Sequence, residues 1–350
     1  MSLIRFNART TSRLRLTRVA ALLVFGIGIP ASGLIVRAEP IDAPEAVASG
    51  ELDERSSKDN LLRRMTTDGI ELTDDLSFPL PEPTFVSIDG EPVAEEDAKR
   101  ALEKIAGRHG VKRFVRDSVV APISVNTDSI KNDAGERIGH FIDVAFVVYQ
   151  SIEQIRKSDA LDDFKSDPDS PEQTVEVADS DSADELDKNK TRQLTDEELA
   201  AAGVELDGKY ETLGHLQLPL LGKVVVRGVA RARRSIWSAD DESAPIILTW
   251  LLDSRFAADD PEPDSISNQW RAIERNSVGE KQLGPPHSYA GMGGYVAITP
   301  VPGEEQASMV EMRFVIHEPH DWFSGRNLLR SKLPILIQDR VRNLRRELQD

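Results

Sequence analysis

The sequence predicts an α+β fold in which a curved antiparallel sheet packs around a long C-terminal helix, and three observations predict it. Glu311-Met-Arg-Phe-Val-Ile-His317 alternates, with Met312, Phe314 and Ile316 on one face and Glu311, Arg313 and His317 mostly on the other, as in a half-buried strand. From Asn327 onward, Leu329, Leu333, Ile337, Val341, Leu344 and Leu348 recur at three- and four-residue spacing, a helical stripe with Arg340, Arg342, Arg345 and Arg346 outside it. Upstream, β-branched and aromatic runs separated by turn sequences predict hairpins, the surface on which that stripe is buried.

The chain begins differently. Arg5, Arg9, Arg13, Arg15 and Arg18 precede the apolar run Val19 to Ile29, then Pro30, and Val36-Arg-Ala38 places small residues where a signal peptidase reads. Residues 1–38 therefore read as a secretory signal, or as an uncleaved anchor if the apolar region extends to Val36. Either way the rest of the chain is exported, to the periplasm or cell envelope. A membrane contact is predicted only through residues 19–36, if they are retained.

Loss of residues 1–38 removes six Arg and no acid, taking the formal charge from −17 to −23. So acidic a balance argues against a nucleic-acid partner, because phosphate binding needs Lys and Arg. The absence of cysteine excludes disulfides, thiolate chemistry and Cys-ligated metal. With 39% hydrophobic and 5% aromatic residues, the predicted core is modest and confined to a few segments.

Residues 39–84 are rich in Asp, Glu, Ser and Pro and read as disordered, with order beginning near Phe85. A single domain then spans 85–350. Val93 to Ala106 reads as a helix, with Glu95, Glu96 and Asp97 in its first turn and Gly107 at its end. Phe114 to Val125 and Ile138 to Tyr149 form a hairpin about the turn residues Lys131 to Arg137, followed by a helix within Ser151 to Phe164. Ser158 to Ala200 holds fifteen Asp or Glu against four Lys or Arg, so about 166–191 reads as a disordered acidic insertion, with Thr195 starting a helix. Gly222 to Trp237 and Ile246 to Leu252 form a second hairpin; Ser267 to Glu274 is a further strand; Lys281 to Ser288 reads as loop; and Tyr295 to Ile298 pairs with Val310 to Ile316.

Little in this chain carries recognisable chemistry. No phosphate loop, nucleophile elbow or zinc-protease helix is present. Gly291-Met-Gly-Gly294 opens a strand, the wrong context for a dinucleotide, and marks a bulge or close backbone contact. Asp179 to Asp187 lacks the glycine and terminal glutamate of a calcium loop. His317-Glu-Pro-His320-Asp321 groups metal-ligand types, but Pro319 prevents a helix carrying both histidines, and a strand end with a turn is the simpler reading. Arg227, Arg231 and Arg233 share a strand face, either as an anion site or as partners of nearby acids. No catalytic residue, metal ligand or cofactor is assigned, and nothing demands an enzyme.

In order, the elements are a helix, a hairpin, a helix, an insertion, about six strands and a long final helix. Gly293-Gly-Tyr-Val-Ala-Ile-Thr-Pro300, the hairpin to Met309-Val-Glu-Met-Arg-Phe-Val-Ile-His-Glu-Pro319, then Trp322-Phe-Ser-Gly and the amphipathic helix resemble the START-like (SRPBCC) helix-grip superfamily. The resemblance covers about 60 residues closely; His317-Glu-Pro-His320 and the acidic insertion depart from the pattern. It implies an apolar ligand cavity between sheet and final helix, lined here by Val224, Val226, Trp250, Tyr295, Met312, Phe314, Leu329, Leu333 and Ile337. The leading expectation is an exported, non-enzymatic protein that binds a hydrophobic small molecule or lipid there. The alternative is a cell-envelope structural or interaction protein acting through its acidic insertion and N-terminal tail.

Overall fold

The computed structural model describes residues 60–73, 75–156, 175–177, 189–205, 211–236 and 244–349. Residues 1–38, the segment 39–59 and most of the acidic span 166–191 lie outside the described residues. The described chain is α+β, with one large antiparallel sheet and a C-terminal helix.

The sheet has eleven strands: β3 (Ser124–Lys131), β4 (Arg137–Val148), β5 (Val175–Val177), β6 (Asn189–Gln193), β7 (Glu211–Leu220), β8 (Val224–Ile236), β9 (Ile246–Leu252), β10 (Gln269–Arg275), β11 (Lys281–Ser288), β12 (Met292–Val301) and β13 (Glu304–His317). A path of nine runs β3-β4-β13-β12-β9-β8-β7-β6-β5, and the β10–β11 hairpin joins at β8. Chain neighbours pair as hairpins, β3 with β4, β7 with β8, β8 with β9 and β12 with β13. The register of the last pair sets Tyr295 opposite Arg313 and Ile298 opposite Val310, as the sequence predicts.

The sheet forks at β8. Val224 to Arg227 pair with β10, while Ala230 to Ile236 pair with β9. Asn268, fully buried, fills the fork: its Nδ2 donates to the Asp253 carbonyl (2.8 Å) and its Oδ1 accepts from Val229 N (3.0 Å). Only glycine fits opposite, since a Cβ on Gly228 would lie 2.4 Å from Asn268 Oδ1. The Gly291 to Gly294 stretch is likewise a close approach. A Cβ at 291 would meet the Glu71 carbonyl oxygen at 2.1 Å, and one at 294 would meet Phe314 Cβ at 2.4 Å.

Helix α6 (Leu328–Gln349) closes one face of the sheet. Leu329, Leu333, Ile337, Val341 and Leu344 are buried there against even-numbered residues of β4 and β13, Ile142, Val144, Phe146, Met312, Phe314 and Ile316 among them. The helix runs on through Pro334, which lacks the N–H for one backbone bond.

The opposite face required a cover that the sequence reading places in disorder. Instead of beginning near Phe85, the described fold begins at Asn60, whose side chain caps α1 (Leu61–Thr67) by accepting from Leu62 N at 3.0 Å. After it come β1 (Ile70–Thr73) and β2 (Leu76–Phe78), a small hairpin. Leu61, Leu62, Met65, Ile70, Leu72 and Leu80 bury with Tyr295, Ala297, Ile247 and Val315. These apolar residues are thinly spread in an acidic, Pro-rich composition, and Tyr295, Ala297, Ile247 and Val315, which help bury them, are more than 160 positions away in the chain.

Other differences follow from tertiary partners. The expected strand at Phe114 to Val125 is a strand only at Ser124 and Val125, the start of β3; before them lie α3 (Val111–Phe114) and a loop, because Phe114 and Val115 bury against α2 (Glu95–Ala106) rather than in the sheet. The helix expected within Ser151 to Phe164 is α4 (Ile152–Arg156), as far as the chain is described there. Lys281 to Ser288 is a strand despite Pro285 and Pro286; it pairs with β10 alone, and an edge tolerates proline. Inside the expected acidic insertion, β5 and the start of β6 extend the sheet beyond β7, a strand the sequence reading omits. Thr195 caps α5 (Asp196–Ala201) with a reciprocal Thr195–Glu198 capping box.

Asn268→Ala leaves the Val229 N–H and the Asp253 carbonyl without their buried partner. It is expected to cost about 3 kcal/mol, read as a lower urea midpoint at unchanged slope.

Candidate functional site

The apolar layer between sheet and α6 is the region into which the predicted ligand residues converge. Val224, Val226, Trp250, Met312, Phe314, Leu329, Leu333 and Ile337 all belong to its one buried cluster. Cross-strand register explains the grouping: Phe314 and Trp250 flank Gly294 on its two sides, and Met312 is opposite Val296, itself opposite Leu248. Tyr295 is not in this layer. One residue beyond Gly294, it faces the other way, donating its hydroxyl proton to the Pro81 carbonyl (2.8 Å) among the residues under α1.

Near the start of α6 the layer ends in a buried polar tie. Glu318 accepts from Arg137 Nη2 on Oε1 and from His140 Nε2 on Oε2, both at 2.7 Å. His140 is 0% and Glu318 3% exposed. An imidazole oriented by a carboxylate can move a proton, but burial this deep withholds the pair from a solvent-borne reactant. Its evident work is to fasten β4 to the turn that launches α6.

The same turn carries an aromatic stack. Tyr289 lies parallel to Trp322 (5.5 Å between centroids) and to His317 (5.6 Å), and Trp270 meets Trp322 edge-on (6.1 Å) and stacks on His287 (4.5 Å). His317-Glu-Pro-His320-Asp321 thus forms a strand end and a 3-10 turn at His320–Trp322. Among the described residues no group of three or more His, Asp or Glu is placed to hold a metal ion.

At the other end of α6 the layer meets the surface. A cleft of about 220 Å3 is lined by His109 and Arg113 near α3, by Val120 to Ile123 ahead of β3, and by Gln338 and Arg342 on α6. Ile123 lines the cleft and also packs against the main apolar cluster. Arg345 holds the inner side of the loop. Its guanidinium donates to the carbonyls of Ala121 (2.7 Å), Val147 (3.0 Å) and Val119 (3.4 Å), and it lies 5.9 Å from the Phe146 ring centre. At 5% exposure, burial lowers its pKa to about 10, still charged at neutral pH. The sequence reading sets Arg345 outside the apolar stripe with its neighbours; the loop carbonyls are what draw it in.

The arginine row of β8 is partnered. Arg231 pairs with buried Glu211, and Arg227 Nε donates to Gln217 Oε1 at 3.0 Å. Arg233 is buried within the fold. The second of the two sequence readings therefore describes Arg231, whose partner is an acid.

No helix among the described residues is long and apolar enough to cross a membrane. Neither a known protein family nor a curated protein matches this chain.

Two outcomes test this geometry. Arg345→Ala strands the loop and strand carbonyls that its guanidinium holds and is expected to cost about 3 kcal/mol in urea denaturation, with Arg345→Lys recovering part. Burial lowers the pKa values of His317 and His215 to about 4. Each binds a proton in the unfolded chain at higher pH than in the fold, so its stabilisation is complete above about pH 6.5 and is lost as pH falls towards 4. Between about pH 7 and about pH 5 the urea midpoint of His317→Gln is expected to fall less than that of the unsubstituted chain.

Proposed function

We propose that this protein is an exported, non-enzymatic binder of a hydrophobic small molecule or lipid, held between the sheet and α6 in a helix-grip-like arrangement of START type. The observation that carries the reading is Ile123, a side chain that belongs both to the surface cleft and to the apolar layer beneath α6. A ligand entering there leaves water at the cleft and meets Val125 and the α6 stripe, all apolar and packed on the same cluster.

Two further features support it. The order β4-β13-β12-β9-β8-β7 with a C-terminal helix over one face suits a sheet wrapped about that helix. Two charged groups at the ends of the layer are held by other partners, Glu318 by Arg137 and His140, and Arg345 by carbonyls. The expected export rests on the basic and apolar character of residues 1–38.

The neutral apolar dye N-phenyl-1-naphthylamine tests the reading. Its fluorescence is expected to rise on addition of the protein, and Ile123→Trp, which fills the junction of cleft and layer, is expected to weaken dye binding at least about tenfold at an unchanged urea midpoint. Equal binding by the two proteins overturns the proposal.

A further inference from the structure

The cleft is not only an opening to an apolar layer; its charge is opposite to that of the chain. On a protein of formal charge −17, residues 107–116 carry Arg108, Lys112, Arg113 and Arg116 and no acidic residue. Arg113 and His109 line the cleft from this side and Arg342 lines it from α6, while no carboxylate contributes to its lining. Among the described residues Arg342 pairs with Asp339 on the preceding turn of α6, which accepts from its Nη1 at 3.0 Å. That pair is largely exposed and is weak in water, so Arg342 can exchange it for a ligand anion.

The remaining wall is Gln338 on α6 and the apolar run Val120 to Ile123. Val120 is 75% exposed, and it leads through Pro122 to Ile123 at the edge of the main cluster. Cations at the rim and apolar side chains running inward are complementary to a molecule with an anionic head and an apolar tail. The size fits that division: about 220 Å3 holds a carboxylate and its first few methylenes, and the rest of the tail belongs in the layer. Net charge reinforces it, because an acidic chain repels anions everywhere except where Lys and Arg are gathered.

We infer that the cleft is a head-group site for an amphipathic anion of the fatty-carboxylate class, with Arg113 and Arg342 on the carboxylate and Val120, Pro122 and Ile123 against the first methylenes. The inference rests on the apolar-ligand reading above and adds to it the head group and its residues. Arg345 is a positioning residue here, since it holds the Val119 and Ala121 carbonyls that shape the wall and does not itself line the cleft.

The experiment is displacement of N-phenyl-1-naphthylamine from the full chain by laurate and by 1-dodecanol, two ligands of equal tail length and different head. Laurate is expected to displace the dye at a concentration at least about tenfold lower than dodecanol. In Arg113→Gln/Arg342→Gln, whose replaced side chains lie at the surface, that preference is expected to vanish while dodecanol displaces as before. If laurate and dodecanol are equivalent, or if the double variant keeps the preference, the head-group site is wrong and the apolar-ligand reading stands. If the dye does not bind the unsubstituted chain at all, the apolar-ligand reading fails and the head-group site fails with it.

Discussion

A wide sheet with two apolar faces needs two covers, and this constraint organises the molecule. Strand β13 shows it most directly. Val310, Met312, Phe314 and Ile316 point into the layer under α6, while Val315 points the other way and packs beneath α1 and the β1–β2 hairpin. On that second face Glu311 and Arg313 also turn outward from the helix side to hold residues 82–84. Glu311 accepts from Thr84 N at 3.0 Å; Arg313 donates to Thr84 Oγ1 at 2.8 Å and to the Glu82 carbonyl. Burial raises the Glu311 pKa, a cost offset by the adjacent Arg313 and by the Thr84 bonds. One strand therefore anchors both covers, which are encoded at opposite ends of the described chain.

The covers are tied down by buried and half-buried cations reaching across the chain. Arg313 fastens the N-terminal cover, Arg137 with Glu318 and His140 fastens the turn before α6, and Arg345 fastens the far end of α6 to the loop before β3. Each guanidinium satisfies several acceptors in one plane, which an ammonium cannot do. Apolar burial brings α6 onto the sheet, and these bonds set where it sits. The cleft occupies the flank where Arg345 is tied to loop carbonyls, which form its inner wall, and its outer lining includes Arg113, Arg342 and Val120.

The sequence made the repeating parts legible and left the long-range parts hidden. The β12–β13 pairing and the α6 stripe were readable because period-two and helical spacing are local properties. Eight of the nine predicted ligand residues share one cluster because strand alternation places five of them and helical spacing places Leu329, Leu333 and Ile337. Tyr295 falls outside it because Gly294 holds the layer-facing position between Trp250 and Phe314, and glycine is silent in a hydrophobic pattern. Residues 60–84 were illegible as structure because their few apolar side chains are buried by Tyr295, Ala297 and Val315. The cleft was hidden for a similar reason: His109, Arg113 and Val120 meet Arg342 only in the fold, although the run of cations from Arg108 to Arg116 in an acidic chain was a signal available in the sequence.

The claim that the layer beneath α6 receives a ligand through the cleft is tested most directly by photo-crosslinking with a fatty acid that carries a diazirine in its chain, followed by peptide mapping of the labelled protein. Label is expected in the peptides that contain Ile123 and the Leu333 to Val341 part of α6, reduced by excess unlabelled fatty acid. Label spread over the surface, or concentrated on residues outside this layer and insensitive to competitor, would contradict that claim.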